Sequence, residues 1–255
     1  MTLRLYVALK LDSGTELALP PGAARHAQVR RVQPGDALRL FDGRGSDWSA
    51  EVLAMGRSEV RVRIALPLPA AAAELPLAIT LALGMPANER MDMVVEKATE
   101  LGAARIQPLH TERSVLRLAG ARAERKRAHW QAIAEAACEQ CGRARVPVVE
   151  PVRSLAEWLT TSPAAAPGPI RLVLSLQADA HSLPLRAAAA PAARAWTALN
   201  GPEGGLTADE EIAARRHGFL PITLGPRVLR ADTAPLAVLA WLALSAGEAF
   251  EAPRR

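Results

Sequence analysis

The sequence predicts an α/β protein in two parts, a small β-barrel followed by a larger domain on a mostly parallel sheet. Three observations carry this expectation. Residues 1 to about 66 hold short alternating or apolar runs split by Gly and Pro turns. From Leu77 onward, apolar strand-like runs alternate with helical spacing. Two loops, Leu199-Asn-Gly-Pro-Glu-Gly-Gly205 and Leu224-Gly-Pro-Arg-Val-Leu-Arg-Ala-Asp-Thr-Ala234, each follow such a run and lead into a helix start. An α/β sheet places loops of this kind at the carboxyl ends of its strands, where ligands bind.

In chain order, strands are expected at Leu3–Leu9, Ala37–Phe41, Trp48–Leu53 and Val60–Ile64, with turns at Pro34-Gly-Asp36, Asp42-Gly-Arg-Gly45 and Gly56 between them. Several short strands so spaced suit a small barrel. Pro67 to Pro76, rich in Pro and Ala, reads as a linker, so the domains divide at 1–69 and 75–255. Leu77–Leu83 reads as a buried strand. Glu89 to Leu101 carries Met91, Val94, Val95, Ala98 and Leu101 at helical spacing, with Gly102 placed to cap it. Further strands are expected at Ile106–Leu109, Val146–Val149, Ile170–Leu176, Trp196–Leu199 and Phe219–Leu224. Thr207-Ala-Asp-Glu210 is a capping box that opens a helix, which Gly218 closes. There are no internal repeats.

Composition narrows the function. Half of the 255 residues are hydrophobic and 22% charged, as in soluble globular proteins. The start, Met1-Thr-Leu-Arg-Leu-Tyr6, has no signal-peptide core, and the uncharged run Thr233 to Gly247 is too short to span a bilayer. Both point to the cytoplasm. Net charge is +5, and all but Lys10, Lys97 and Lys126 of the 31 basic residues are Arg. Guanidinium forks match phosphate oxygens, so the balance invites a nucleic-acid partner; an Arg- and Ala-rich genome is the bland alternative. Cys138 and Cys141 form a lone C-x-x-C inside a helical run. A zinc site needs a second ligand pair, and a redox motif a strand-to-helix turn, so packing cysteines are the better reading.

Neither a G-x-x-x-x-G-K-[ST] loop nor a strand-following G-x-G-x-x-G is present, which argues against ATP and nicotinamide cofactors. Gly201-Pro-Glu-Gly-Gly205 has no lysine and carries Glu203, whose charge would repel a phosphate. Tight backbone approach beside a carboxylate suits a neutral or cationic ligand, a sulfonium cofactor or an amine; a plain β-to-α turn is the alternative.

The two loops together resemble the SPOUT methyltransferases, and more narrowly the bacterial enzymes that methylate N3 of one uridine in 16S ribosomal RNA. The resemblance extends to Glu96-Lys-Ala-Thr-Glu-Leu-Gly102, Thr111-Glu-Arg-Ser114 and Glu135-Ala-Ala-Cys-Glu-Gln-Cys-Gly-Arg143. In the first part it includes Arg4-Leu-Tyr-Val7 and Pro34-Gly-Asp-Ala-Leu-Arg-Leu-Phe-Asp-Gly43, so it covers nearly the whole chain. It implies a PUA-like RNA-binding barrel, then a SPOUT-type α/β domain with a carboxyl-terminal trefoil knot, acting as a homodimer on the small ribosomal subunit without a metal.

The resemblance further implies that S-adenosylmethionine sits among three loops. Its binding residues would be Leu174, Leu176, Leu199, Gly201, Pro202, Gly204, Gly205, Leu224, Gly225, Val228 and Leu229. The glycines would admit the ligand without a Cβ in the way, and the leucines would wall the adenine. Arg113, Arg143 or Arg230 would stabilise a developing uridinate, with Glu203, Asp232 or water as proton acceptor. RNA would be met by Arg4, Arg25, His26, Arg30, Arg31 and Lys97. Two departures stand out: Ala231-Asp232 replaces the family's usual Thr-Glu, and the Arg25–Arg31 run fits only after a one-residue slip. A sister enzyme methylating another nucleotide, and a non-catalytic RNA-binding assembly factor, are the alternative readings.

Overall fold

The alternation in Val60-Arg-Val-Arg-Ile64 becomes a strand whose Val60, Val62 and Ile64 are fully buried while the arginines face out. In the computed structural model, residues 2–69, 74–161 and 169–246 are described. The chain divides into two compact units, residues 1–74 with 134–146, and residues 75–133 with 147–255.

The first unit is a five-stranded sheet in the order β1-β3-β4-β5-β2. Its strands are β1 (Leu3–Tyr6), β2 (Glu16–Ala18), β3 (Ala37–Phe41), β4 (Asp47–Met55) and β5 (Val60–Leu68). β1 runs parallel to β3, and the other ladders are antiparallel. β1 is shorter than expected, whereas β5 extends through Leu68 into the segment read as a linker. Pro67 is tolerated there because β2 pairs only with Arg61 to Arg63, which leaves that side of β5 without a strand. The sequence reading missed helix α1 (Pro21–Val29), because three of its buried residues are the alanines Ala23, Ala24 and Ala27. Pro21 stands in its first turn, where Pro fits. The rest of the linker, residues 70–73, lies outside the described residues.

Residues 134–146, given to the second domain by sequence, pack with this unit and are pinned by buried charge. Arg4 donates to the carbonyls of Cys138 (2.6 Å) and Arg143 (2.8 Å) and to Asp47 (2.9 Å), with its guanidinium 3.7 Å from the Phe41 ring centroid. Asp47, 1% exposed, also accepts from Arg39 at 2.8 Å. Glu139 takes the Tyr6 amide on one oxygen (2.8 Å) and His26 Nδ1 on the other (3.0 Å). Burying such charges costs free energy unless each finds partners, and here they do.

The second unit holds an eight-stranded, wholly parallel sheet in the order β11-β13-β10-β12-β6-β7-β8, with β9 also on β7. These strands are β6 (Ala78–Gly84), β7 (Arg105–His110), β8 (Val148–Val149), β9 (Arg153–Ser154), β10 (Ile170–Leu174), β11 (His181–Ser182), β12 (Ala195–Asn200) and β13 (Leu220–Thr223). The helices are α2 (Asn88–Glu100), α3 (Gly120–Cys141, shared with the first unit), α4 (Leu155–Thr161), α5 (Leu183–Ala188), α6 (Ala208–Arg216) and α7 (Thr233–Ala246). Ala82, Leu109, Val173 and Leu199 turn to one face and pack with Trp158 of α4, Ala214 of α6 and Phe219. On neighbouring rungs the side chains alternate to the other face, and α7 packs on β12, β6 and α2.

Caps close the helices where the sequence placed them. Thr207 Oγ1 accepts from the Glu210 amide (3.2 Å), while the Glu210 carboxylate accepts from the Thr207 amide (2.9 Å). Gly102 and Gly218, at φ +96° and +82°, end α2 and α6. Among the described residues no helix is long and apolar enough to cross a membrane.

Candidate active site

β10, β12 and β13 are neighbours in the sheet, so their carboxyl ends, at Leu174, Asn200 and Thr223, open side by side. The loops that leave them surround a cavity of about 560 Å³, within the usual range for a small-molecule site. Buried Asn200 ties two of the walls together. Its Nδ2 donates to the carbonyls of Gly201 (2.9 Å) and Ala231 (2.8 Å).

The Gly201–Gly205 wall is a tight turn in which each glycine has its own reason. A Cβ on Gly201 would lie 2.6 Å from the Leu206 amide nitrogen and 2.7 Å from the Gly205 carbonyl carbon, so the turn itself excludes one. Gly205 sits at φ +71°, the left-handed region that glycine adopts without strain, and its amide donates to the Pro202 carbonyl at 2.8 Å. Gly204 packs on the Arg113 side chain, whose Nη1 donates back to the carbonyls of Gly204 (2.8 Å) and Leu206 (3.4 Å). Gly84, at the end of β6, completes the seat, because a Cβ there would meet Pro202 at 2.7 Å.

Charge is concentrated on one side. Glu203 Oε1 accepts from the Ala87 amide (3.1 Å) and lies 3.5 Å from Arg90 Nη1. Arg90 Nε is 3.9 Å from Asp232, whose carboxylate also accepts from the Thr233 hydroxyl at 3.1 Å. Arg90 therefore stands between two carboxylates from different loops.

The structure gathers most of the expected binding residues. Leu174, Leu176, Leu224, Val228 and Leu229 line the cavity, as do Gly201, Pro202, Gly204 and Gly205, together with Glu203 and Arg230. Other placements need correction. Leu199 is fully buried on the inward face of the sheet, in the apolar cluster with Trp158 and Phe219, and is no cavity wall. Gly225, at φ +100°, shapes its loop without lining the cavity. Asp232 is 8% exposed and also stands behind the lining. Arg113 braces the Gly204 turn from outside. Arg143 belongs to the first unit, where its nearly buried guanidinium pairs with Glu74 at 3.0 Å.

The expected RNA contacts divide as well. Arg25, Arg30 and Arg31 are exposed on α1 and just beyond it. Arg4 donates to Asp47 and two carbonyls inside the first unit. His26 is held by Glu139, and Lys97 by Glu96 and Glu100 at 2.7 and 2.8 Å, which drive its ammonium pKa upward.

The matching sequence profiles agree with this geometry. That of an RNA methyltransferase domain covers residues 73–243, and that of an RNA methyltransferase PUA domain covers residues 19–65. The chain belongs to the RNA methyltransferase family. Its relatives include the ribosomal RNA small subunit methyltransferase E of Synechocystis sp., 32% identical over 94% of this chain and 77% of the relative. The protein of the same name from Mycobacterium bovis is 32% identical over 92% and 88%. A protein of Legionella pneumophila, solved in complex with the bound cofactor SAM, superposes with a TM-score of 0.88 at 33% identity, covering 96% and 98% of the two chains. The ribosomal RNA small subunit methyltransferase E of Neisseria gonorrhoeae, bound to S-adenosyl methionine, gives 0.85 at 36% identity, covering 95% and 97%.

Within this methyltransferase the sequence reading passed over Arg90, Ser175 and Asn200. Asn200 could have been found, since it closes the β12 run directly before Gly201. Ser175, which donates to Glu211 at 2.6 Å, sits between Leu174 and Leu176 at the end of β10 and was as legible as they were, whereas Arg90 reaches the cavity from α2, which packs against α7, and no local pattern announces that.

Proposed function

We propose that the chain transfers a methyl group from S-adenosylmethionine to N3 of a uridine in small-subunit ribosomal RNA. The observation that carries this is the cavity itself. Apolar walls from Leu174, Leu176, Val228 and Leu229 face a tight turn that excludes a Cβ at Gly201, and a carboxylate stands at one side. Such a site suits a flat purine with a cationic chain. The relatives' names and their complexes with the cofactor support the same assignment.

When bound, S-adenosylmethionine supplies a methyl group on a sulfonium. The S–C bond breaks as the N3–C bond forms, and the imide proton must leave N3 so that its lone pair is free. Arg230 and Arg227 line the cavity and offer positive charge to the developing uridinate. We assign Glu203 as the acceptor of the proton, since the Ala87 amide and Arg90 hold it in place. Arg113 acts as a positioning residue by fixing the Gly204 turn, because in-line placement is what this transfer chiefly needs.

Exposed Arg25, Arg30 and Arg31 fit a role in holding the RNA backbone. The proposal extends to a trefoil-knotted path through the cavity loops. It also extends to a homodimer, for which Leu244 on α7, 78% exposed, offers apolar surface to a second copy.

The test is methyl transfer from labelled S-adenosylmethionine to small ribosomal subunits that lack the modification, followed by nuclease digestion and mass spectrometry. Recovery of 3-methyluridine is expected. Another methylated nucleoside would move the assignment to a sister reaction. No transfer and no cofactor binding would support an assembly factor instead.

A further inference from the structure

A second cavity, of about 500 Å³, opens at the carboxyl ends of β7 and β9 and is lined by His110, Arg117, Arg153, Ser154 and Glu157. His110 Nε2 lies 2.7 Å from the Leu118 carbonyl oxygen. A carbonyl only accepts, so Nε2 carries the proton, and in that tautomer Nδ1 is an acceptor. That Nδ1 is buried and has no hydrogen-bond partner among the described residues. A buried acceptor left so is costly unless a ligand donates to it.

The two arginines are exposed, and each uses only part of its fork. Arg117 Nη2 donates to the Glu112 carbonyl (2.8 Å), and Arg153 Nη1 to Thr161 Oγ1 (3.1 Å). Glu157 is the opposing charge. It is held by Ser154, through the amide to Oε2 (3.2 Å) and through the hydroxyl, which keeps its carboxyl below the usual range. Two cations against one anion leave the cavity net positive. It combines an unsatisfied acceptor that wants a hydroxyl donor with guanidiniums that want an anion.

The cavity is joined to the active site by one short segment. Residues 111–119 carry Arg113, which braces the Gly204 turn, and Glu112, whose amide donates to Glu210 at 2.8 Å. The same segment then supplies Arg117 to the second cavity.

We propose that this cavity takes a ribonucleotide of the RNA substrate that flanks the target uridine. Its 2′-hydroxyl donates to His110 Nδ1, and its phosphate is held by Arg117 and Arg153. Such a subsite reads RNA against DNA, because the 2′-hydroxyl that donates to the histidine is the donor DNA lacks. It grips single-stranded substrate next to the nucleotide that must leave its stack to be methylated. The proposal rests on the methyltransferase reading above.

The test measures fluorescence anisotropy with the full chain and two probes, a ten-nucleotide oligouridylate and the deoxyuridine oligomer of the same length. Wild type is expected to prefer the ribo-oligomer. Arg117→Ala with Arg153→Ala should weaken its binding about tenfold, with a salt slope shallower by about 1.4, the value for two lost single-strand phosphate contacts. His110→Phe should bring the ribo- and deoxy-oligomers to equal affinity. Calorimetry with S-adenosylmethionine should show the cofactor bound alike by all three proteins. Unchanged affinity, slope and ribo-to-deoxy ratio in both variants, with cofactor binding intact, would overturn this subsite alone. Wild type that binds neither oligomer nor cofactor would overturn the methyltransferase reading along with it. Because both arginines are exposed, the double variant stays informative even if His110→Phe does not fold.

Discussion

Gly201 and Gly204 stand three residues apart and answer to different constraints. The space for a Cβ at Gly201 is taken by backbone at 2.6 Å, whereas at Gly204 the nearest atom is the Arg113 Cβ at 3.2 Å, a contact that a shift of a few tenths of an ångström relieves. Gly201→Ala should therefore lower affinity for S-adenosylmethionine at least about tenfold, since the turn must open to admit the methyl. Gly204→Ala should cost less, since it asks only a small shift of Arg113. Calorimetry on the two variants decides it, and equal losses would show that the Gly201–Gly205 backbone is less constrained than its geometry implies. The cysteines, read from sequence as packing residues, differ in the same local way. The hydrogen bond with Cys141, and then burial, raise the Cys138 thiol, whereas that bond, a backbone amide and the Arg143 charge lower Cys141. Cys141 is also the more accessible of the two. Iodoacetamide near neutral pH should label Cys141 well before Cys138; equal rates by peptide mass spectrometry would refute that ordering.

At the scale of elements, the opening of α6 does two tasks. The capping box holds the helix, and the second oxygen of Glu210 takes the Glu112 amide, which anchors the segment carrying Arg113. Thr207→Ala removes only the cap and should cost about 1 kcal/mol, which is roughly 2–4 °C in Tm for a chain of this size. Glu210→Ala keeps that cap bond, which its backbone amide donates, but removes the carboxylate's bonds to the Thr207 and Glu112 amides, and should also weaken cofactor binding. If Thr207→Ala weakened it equally, the link through Glu112 would be irrelevant. The capping box was legible because its chemistry is local, four residues long and independent of tertiary contacts. α1 was not, because Ala-rich helices that bury one narrow face leave little apolar periodicity to read.

At the scale of the whole molecule, charge separates roles that a motif cannot. Arg4, Arg143, Arg30 and Arg31 look alike in sequence, yet the first two are spent on Asp47, Glu74 and carbonyls while the last two are exposed. Arg30→Ala with Arg31→Ala should flatten the salt dependence of RNA binding by about 1.4 in slope and leave cofactor affinity unchanged. An unchanged slope in filter binding would remove this arm from the RNA interface.

The sequence by itself determined the α/β alternation, the cavity loops at the strand ends, the capping box and, through its motifs, the family. Each of these is written in neighbouring residues, as a period, a turn or a cap. Only the tertiary structure decided that Leu199 faces the core, that Arg4 and Arg143 pair with Asp47 and Glu74, that residues 134–146 pack with the first unit, and that Arg90 and Asn200 line the cavity. Those outcomes depend on which strands lie side by side and on which buried charges find partners, and both are settled by groups far apart in the chain.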